Sequence, residues 1–178
     1  IGTNQSDIQD IPDSGKITGI VGGQSGTVLL ERGIARIDYV GSPLIFTVDR
    51  IETNNGCEIP SSIVALGSNA VFYLSPNGFC LFDGNRSTQI GAEKVDRFFY
   101  DNLSPAHHHR TTAAVDPNNQ TVMWSFVSND STDGEPDKIM VYNYAIGRWS
   151  LLELAHESLG TILIPGYTLE QLDNINTS

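Results

Sequence analysis

A short structural unit recurs three times along this chain. Each copy consists of an apolar segment, a tight polar turn, a second apolar segment and a more variable remainder. Val21, Ala65 and Val115 occupy equivalent points of the three copies, 44 and 50 residues apart. A repeat of about 40–50 residues with four short strands is typical of a β-propeller blade. Because such a unit cannot bury both faces alone, it needs neighbours, and we expect the chain to form part of a larger propeller.

The repeats divide the chain into five segments, and turns rich in glycine, proline and asparagine mark their limits. We expect an extended arm or linker over 1–16, blade-like units over 17–60, 61–103 and 104–154, and a strand with a linker over 155–178. The predicted fold class is all-β, a propeller-like array of about three four-stranded blades. Since the sequence begins with Ile1, we also expect a fragment whose final linker leads into a missing C-terminal part.

The composition favours a folded chain and argues against two kinds of partner. Charged residues make up 17% of the sequence and hydrophobic residues 39%, which is not a disordered composition. The formal net charge of -11 argues against a basic stripe that grips nucleic acid, although it leaves passive contact with DNA open. Because no apolar run approaches the roughly 18 residues of a membrane-spanning helix, we expect no membrane contact.

Local signals predict individual turns, strands and one helix. Residues 75–78 form a hairpin-turn signal, because proline fixes φ and the Asn-Gly pair tolerates positive φ. Residues 44–48 and 160–164 are predicted as further strands. The sole helix is expected within residues 93–100. Its predicted apolar face consists of Val95, Phe98 and Phe99.

The run His107, His108 and His109 is the clearest metal candidate, and we weigh it against an exposed or neighbour-contacting loop. Consecutive residues of a strand point to opposite faces, so adjacent histidines rarely converge on a single ion. Zinc sites favour ligands spaced over two elements. The loop is therefore the favoured interpretation, and a pH-sensitive contact stays open because histidine titrates near neutrality.

The sequence contains no complete copy of two glycine-based motifs that mark active sites. The stretch 22–26 is glycine-rich, but it lacks the Gly-Lys-Ser/Thr ending of a phosphate-binding loop. It is therefore predicted to be a hairpin turn. The Gly-x-Ser-x-Gly pattern of a nucleophile elbow does not occur.

Carboxylates are numerous, and most occupy predicted turns, where aspartate accepts hydrogen bonds from nearby backbone N–H groups. The candidates are Asp38, Asp49, Glu52, Asp83, Asp116, Asp133 and Asp137. A paired acid and base for glycoside hydrolysis stays open, because such a pair forms in space rather than along the sequence. The stretch 129–135 is loosely similar to a calcium loop, but it lacks the full EF-hand pattern and is predicted to be an exposed acidic loop.

Aromatic residues lie on the predicted strands, where core and blade-to-blade packing is the expected role. They are Phe72, Tyr73, Phe79, Phe82, Trp124, Tyr142, Tyr144 and Trp149. A platform that stacks on sugars or bases is the alternative. Cys57 and Cys80 are too few for a disulfide framework, and Cys80 is predicted to be a buried free thiol on a strand.

Several segments between residues 14 and 167, together with a closing stretch, occur in an order that is more specific than any one of them. They are 17–23, 30–36, 39–46, 56–57, 72–79 (FYLSPNGF), 90–97, 114–118, 142–150 (YNYAIGRWS) and 166–173. In this order they resemble the β-propeller tail proteins of short-tailed bacteriophages, of the tail nozzle or packaged-DNA-stabilisation type. The run His107–His109 has no counterpart in that family.

This resemblance implies a structural component of the virion, located in the tail or neck, and no enzyme. Such proteins form a homo-oligomeric ring that extends the portal channel, contacts a portal or head-tail adaptor protein and receives fibres or spikes. The ring holds DNA until ejection without sequence-specific contact. The family has no catalytic residues, cofactor or metal to transfer to this chain. Two alternatives stay open: a carbohydrate-binding or carbohydrate-active propeller, and a cellular protein-interaction propeller.

Overall fold

A computed structural model of the protein describes residues 11, 14–68 and 70–161. These residues form three four-stranded antiparallel sheets, each with its strands in chain order. The first sheet contains β1 (Ile17–Val21), β2 (Gly26–Leu30), β3 (Gly33–Tyr39) and β4 (Phe46–Glu52). The second contains β5 (Val64–Leu66), β6 (Ala70–Ser75), β7 (Gly78–Phe82) and β8 (Ser87–Gln89). The third contains β9 (Thr112–Asp116), β10 (Thr121–Phe126), β11 (Lys138–Asn143) and β12 (Arg148–Glu153).

Four strands that run up and down in chain order are the topology of a propeller blade. The predicted fold class is therefore confirmed: the chain is all-β and forms a propeller-like array of blades. Within the described residues the three sheets do not close into a ring. The helical elements are α1 (Asp96–Asn102) and the 3-10 turns Pro60–Ser62 and His108–Arg110.

The second sheet lies between the other two because its strands are apolar on both faces. Val71 and Tyr73 of β6 pack towards the first sheet, whereas Phe72 and Leu74 pack towards the third. Side chains alternate between the two faces of a strand, so a continuous apolar run buries both. A strand of this composition needs a sheet on each side, which fixes its place in the middle of the array.

Two separate clusters fill the spaces between the sheets. The first–second interface consists of Leu29, Ile34, Cys57, Val71, Tyr73, Cys80 and Phe82. The second–third interface is larger and contains Ile59, Phe72, Leu74, Phe79, Ile90, Phe99, Leu103, Val122, Trp124, Phe126, Met140 and Tyr142. The prediction that the aromatics pack in the core and between blades is confirmed.

Close backbone approach explains why glycine occurs where the first two sheets meet at their first strands. A Cβ at Gly23 would lie 1.9 Å from the carbonyl oxygen of Ser68, so only glycine lets the two turns touch. A Cβ at Gly19 of β1 would lie 2.6 Å from a methyl carbon of Ile63, the residue before β5. The first strands of these two neighbouring sheets therefore lie side by side, as they do around a propeller axis.

Four local predictions need correction. The strand predicted over 44–48 begins at Phe46 and continues to Glu52. The second sheet contains a short strand, Ser87–Gln89, that the apolar pattern did not indicate. The helix spans Asp96–Asn102 rather than 93–100, and its predicted face is divided: Phe99 is buried, but Phe98 is exposed.

The strand predicted over 160–164 cannot be followed along its length. Residues 160 and 161 are described and lie outside any strand. Residues 162–164, most of the arm predicted over 1–16 and most of the linker predicted over 155–178 lie outside the described part of the chain.

Candidate functional site

A polar cleft of about 270 Å³ lies between the first and second sheets, at the end where β1 turns into β2. Ser25 supplies one wall from that turn, and Arg36 and Asp38 reach the cleft from β3. Since residues i and i+2 of a strand share a face, the sequence of β3 places these two side chains together. Asn85, in the turn between β7 and β8, completes the cleft from the second sheet.

Arg36 and Asp38 already form hydrogen bonds and ion pairs with other groups of the protein. Arg36 donates from Nε to Oδ2 of Asp38 at 2.8 Å and from Nη1 to Oδ1 of Asn85 at 3.0 Å. Asp49 stands 3.9 Å from the same guanidinium. Ser25 Oγ donates to Oδ1 of Asp38 at 2.5 Å. These hydrogen bonds, from Ser25 first and then Arg36, hold the pKa of Asp38 below its usual range, so this carboxylate is not poised as a general acid.

The other candidate carboxylates accept hydrogen bonds from the chain around them. Asp83 accepts from the backbone N–H groups of Asn85 and Arg86, at 2.9 and 3.0 Å, and these bonds lower its pKa. Asp116 organises the turn between β9 and β10 in the same way. Glu52 accepts from the N–H of Ser87 at 2.7 Å and ties the first sheet to β8.

Asp133 and Asp137 accept hydrogen bonds within the long connection between β10 and β11. Asp133 accepts the N–H of Glu135 at 3.0 Å, and this bond lowers its pKa. Asp137 accepts from both the N–H and the hydroxyl of Ser128, at 2.7 and 2.6 Å. The prediction that aspartates stabilise turns is therefore confirmed at Asp83, Asp116 and Asp133, since each accepts the backbone N–H two residues further on. Asp137 instead joins the two ends of the connection, because Ser128 is nine residues away.

The acidic loop over 129–135 is tied to basic side chains on both sides. Lys138 donates to Asp130 at 2.6 Å. Arg110 makes a two-pronged contact with Glu135, at 3.0 and 2.5 Å. Hydrogen bonding to that guanidinium lowers the pKa of Glu135. Two of the carboxylates of the loop thus face cations of the protein itself, which leaves the calcium-loop interpretation without a converging ligand set.

The three histidines lie at a 3-10 turn over His108–Arg110, in the connection between α1 and β9 and not on a strand. His107 Nδ1 is 3.2 Å from the hydroxyl of Ser104, and His108 Nδ1 is 2.9 Å from the carbonyl of Pro105. The rings of His108 and His109 are perpendicular, with centroids 6.0 Å apart. Within residues 11, 14–68 and 70–161, no group of three or more His, Cys, Asp or Glu side chains is placed to hold a metal ion.

An apolar groove of about 420 Å³ lies beside the turn between β6 and β7. The polar cleft lies at the other end of these two strands. Ile59, Leu74, Leu103 and Tyr100 are among the residues that line the groove. The hydroxyl of Tyr100 donates to the carbonyl of Ser75 at 2.5 Å, which fixes the ring against the turn between β6 and β7. The sequence analysis did not identify this groove, because its residues come from three segments that are distant in sequence.

Asp96 is a buried carboxylate that the sequence analysis also missed. Its Oδ1 accepts the backbone N–H of Phe79 at 3.1 Å, while Oδ2 is buried without a hydrogen-bond partner among the described residues. Burial raises the pKa of Asp96 above its usual range. Nothing in the local sequence distinguishes it from the solvated aspartates, since its environment comes from β7.

The indole N–H groups of both tryptophans donate hydrogen bonds to backbone carbonyls of the second sheet's surroundings. The indole N–H of Trp124 donates to the carbonyl of Ser62 at 3.1 Å, and that of Trp149 donates to the carbonyl of Ile90 at 3.0 Å. Both cysteines are free and fully buried, as predicted for Cys80. Burial raises the pKa of both thiols, which makes them poor nucleophiles.

Comparison of the chain with protein-family models and with curated proteins finds no match. In the described part of the chain, no helix has the length and apolarity needed to cross a membrane.

Proposed function

We propose that the chain is a structural component of a bacteriophage virion, a tail nozzle or neck ring protein that builds the wall of the DNA channel. In this role it retains DNA in the capsid and guides it out at ejection. Its partners are further copies of itself, a portal or head-tail adaptor protein, and fibres or spikes. The class of protein follows from the resemblance in segment order, and the geometry of the described residues supports a mechanical role.

The observation that supports this proposal best is the doubly buried second sheet. Tyr73 and Phe82 are fully buried against the first sheet, and Phe79 and Phe72 against the third. Close-packed protein cores deform little under load. A channel wall needs such stiffness because packaged DNA presses on it. The polar side chains around the array also bond to groups of the array itself, as the Arg36–Asp38 pair illustrates.

The acidic charge supports the passage of DNA. A net charge of -11 repels DNA phosphates, so DNA would slide along such a wall rather than adhere to it. We expect the purified chain to show no measurable binding to duplex DNA at low salt in fluorescence anisotropy. A basic channel-facing surface in the assembled ring, with strongly salt-dependent DNA binding, would contradict this mechanism.

Peptide mass spectrometry of purified virions tests the proposed function directly. The lysate should carry this gene, and copy number should be measured against the portal protein of the same particles. We expect peptides of this chain at a fixed stoichiometry that fits a symmetric ring. Their absence from particles that do contain portal peptides would exclude the virion role.

A carbohydrate-binding or carbohydrate-active propeller is the second candidate, and the polar cleft is the feature that favours it. The hydrogen-bonding side chains of Arg36 and Asn85 line a space that could admit a sugar ring. However, the described residues of the lining include no aromatic side chain, whereas we expect a sugar site to combine aromatics with carboxylates on one propeller face. A glycan-release assay that compares the chain with Asp38→Asn tests this candidate, and equal absence of release from both excludes the enzyme.

A further inference from the structure

The apolar groove beside the turn between β6 and β7 is a cavity that the proposed function does not use. Its volume of about 420 Å³ falls within the range of ligand pockets, roughly 300–1,000 Å³. Ile59, Leu74 and Leu103 line it and are 8%, 3% and 9% exposed. An apolar side chain that entered the groove would therefore leave water and contact buried aliphatic groups.

Hydrogen bonds within the chain hold the lining of this groove in place. The Tyr100 hydroxyl donates to the carbonyl of Ser75, and the N–H of Leu103 donates to the carbonyl of Phe99 at 2.8 Å. His108 Nδ1 lies 2.9 Å from the carbonyl of Pro105, and the ring nitrogen is the donor because a carbonyl can only accept. The groove is thus already formed, so an occupant loses little free energy to ordering it.

The charge of the groove comes from one carboxylate. Glu58 lines the groove, and the described lining contains no lysine or arginine. The Glu58 side chain is exposed, and none of the ion pairs between described residues involves it. Burial is the main cause of the raised pKa of Tyr100, and the negative charge of Glu58 adds to it. The carboxylate is therefore close enough to act on a group inside the groove, and it favours a cation there.

The part of the sequence outside the described residues does not supply that cation. Residues 1–10, 12–13, 69 and 162–178 contain no lysine or arginine. A second copy of the chain would bring a further formal net charge of -11, and this like charge opposes self-association. The same charge attracts a basic partner.

We propose that the groove binds a segment of a partner protein in which an apolar side chain lies next to a lysine or arginine. The apolar side chain fills the groove against Leu74 and Leu103, and the cation pairs with Glu58. Pro76, Tyr100 and Pro105 are exposed residues of the lining and extend the contact to the backbone of such a segment. The inference goes beyond the proposed function and does not depend on it, because it names the chemistry of a partner rather than an assembly.

Selection from a random peptide library against the immobilised chain tests this specificity. We expect the enriched peptides to share an apolar residue within two positions of lysine or arginine. Selection against Glu58→Lys should lose that basic preference. Glu157→Lys is the matched control, since Glu157 is also exposed but lies after β12 and outside the lining. Enrichment of acidic or purely apolar peptides by the unaltered chain, or no enrichment, overturns the proposal.

Fluorescence anisotropy with one enriched peptide measures the two parts of the contact. Glu58→Lys should raise the dissociation constant by about threefold to tenfold, because it replaces an exposed ion pair with repulsion. Replacing the apolar residue of the peptide with glycine should raise it by at least about tenfold. Melting temperatures confirm folding of both variants. Equal affinity of Glu58→Lys and Glu157→Lys for the peptide contradicts the role of Glu58.

Maleimide labelling of His108→Cys locates the bound peptide. Both natural cysteines are buried, so the thiol added in the lining reacts first. Saturating peptide should slow its labelling by about tenfold, and an unchanged rate places the site elsewhere and overturns the proposal. Displacement of the peptide by excess unlabelled chain would show that a second copy occupies the groove, which also overturns it.

Discussion

The two interfaces between sheets differ in chemistry. The first–second interface contains both cysteines of the chain, Cys57 and Cys80, and it is bordered by the polar cleft. The second–third interface is built around aromatic rings: Trp124 contacts Phe79 at a centroid distance of 4.8 Å and stacks on Trp149 at 5.7 Å. Edge-to-face and offset ring pairs add free energy beyond the area they bury. We infer that the second–third interface is the stronger one and that the first sheet separates first.

The largest expected effects come from two phenylalanines on opposite faces of β7. Phe79 lies in the second–third interface and Phe82 in the first–second interface, and both are fully buried. Replacing either with alanine should lower the free energy of unfolding by about 3–5 kcal/mol. Phe79→Ala should lower the free energy of unfolding more than Phe82→Ala, because Phe79 also contacts the rings of Phe99 and Trp149. Urea unfolding measures both variants, and a larger loss for Phe82→Ala would reverse our ranking.

Gly78→Ala should be the next most damaging change. Gly78 has a φ of 135°, which residues with a Cβ rarely adopt, and an added Cβ would lie 2.1 Å from Oδ2 of Asp96. Backbone strain of this kind costs about 1–3 kcal/mol. Gly22→Ala is the matched control, since a Cβ there meets nothing within 4 Å. Thermal unfolding of the two variants should differ clearly, and equal melting temperatures would exclude strain at Gly78.

Tyr73→Phe isolates the polar contribution to the first–second interface. The Tyr73 hydroxyl donates to Oγ of Ser87 at 2.9 Å, and burial raises its pKa. Loss of this hydrogen bond should lower the free energy of unfolding by about 1 kcal/mol. Tyr39→Phe, at an exposed side chain of β3, should leave the free energy of unfolding unchanged. An unchanged free energy of unfolding for Tyr73→Phe would show that the hydroxyl makes no net contribution to this interface.

The smallest predicted effect is a pH dependence beside the second–third interface. Because the pKa of Asp96 is raised in the folded protein, folding favours its protonated form. Stability from this group is fully present below the ordinary pKa of aspartate and is lost as pH rises through the raised value. Asp96→Asn should remove that fall in urea midpoints measured at stepwise increasing pH. An unchanged slope would show that Asp96 does not titrate as burial requires.

Asp116→Asn serves as the control of opposite sign. Hydrogen bonds from Asn119 and Asn118 lower the pKa of the exposed Asp116 carboxyl. Its contribution is therefore present above the ordinary pKa of aspartate and is lost as pH falls through the lowered value. The two substitutions should change the pH profile of stability in opposite directions.

The sequence was sufficient for the repeat and the fold class because the relevant signals are local. The continuous apolar run of β6 and the Asn-Gly turn that ends at residue 78 follow from the chain itself. The strand Ser87–Gln89 gave no apolar signal, since it is an edge strand anchored by Glu52 from another sheet. Phe98 was assigned to the apolar face of the helix, but the helix begins at Asp96, after Val95, and only Phe99 reaches the core.

The polar features depended still more on distant residues. Arg36 and Asp38 share one face of β3, but their cleft forms only where Asn85 approaches from the neighbouring sheet. The unpartnered oxygen of Asp96 is likewise a property of packing against β7. The histidine run was predicted to lie in a loop, but its 3-10 turn was not predicted, because that turn has no apolar pattern.

Thiol labelling in increasing urea, followed beside tryptophan fluorescence, tests the central comparison most directly. Cys57 and Cys80 are buried in the first–second interface, and Trp124 and Trp149 belong to the second–third interface, so each interface contains its own probe. We predict that both thiols become reactive at lower urea than the concentration at which the fluorescence changes. Coincident transitions, or labelling that follows the fluorescence change, would contradict the inference that the first sheet separates first.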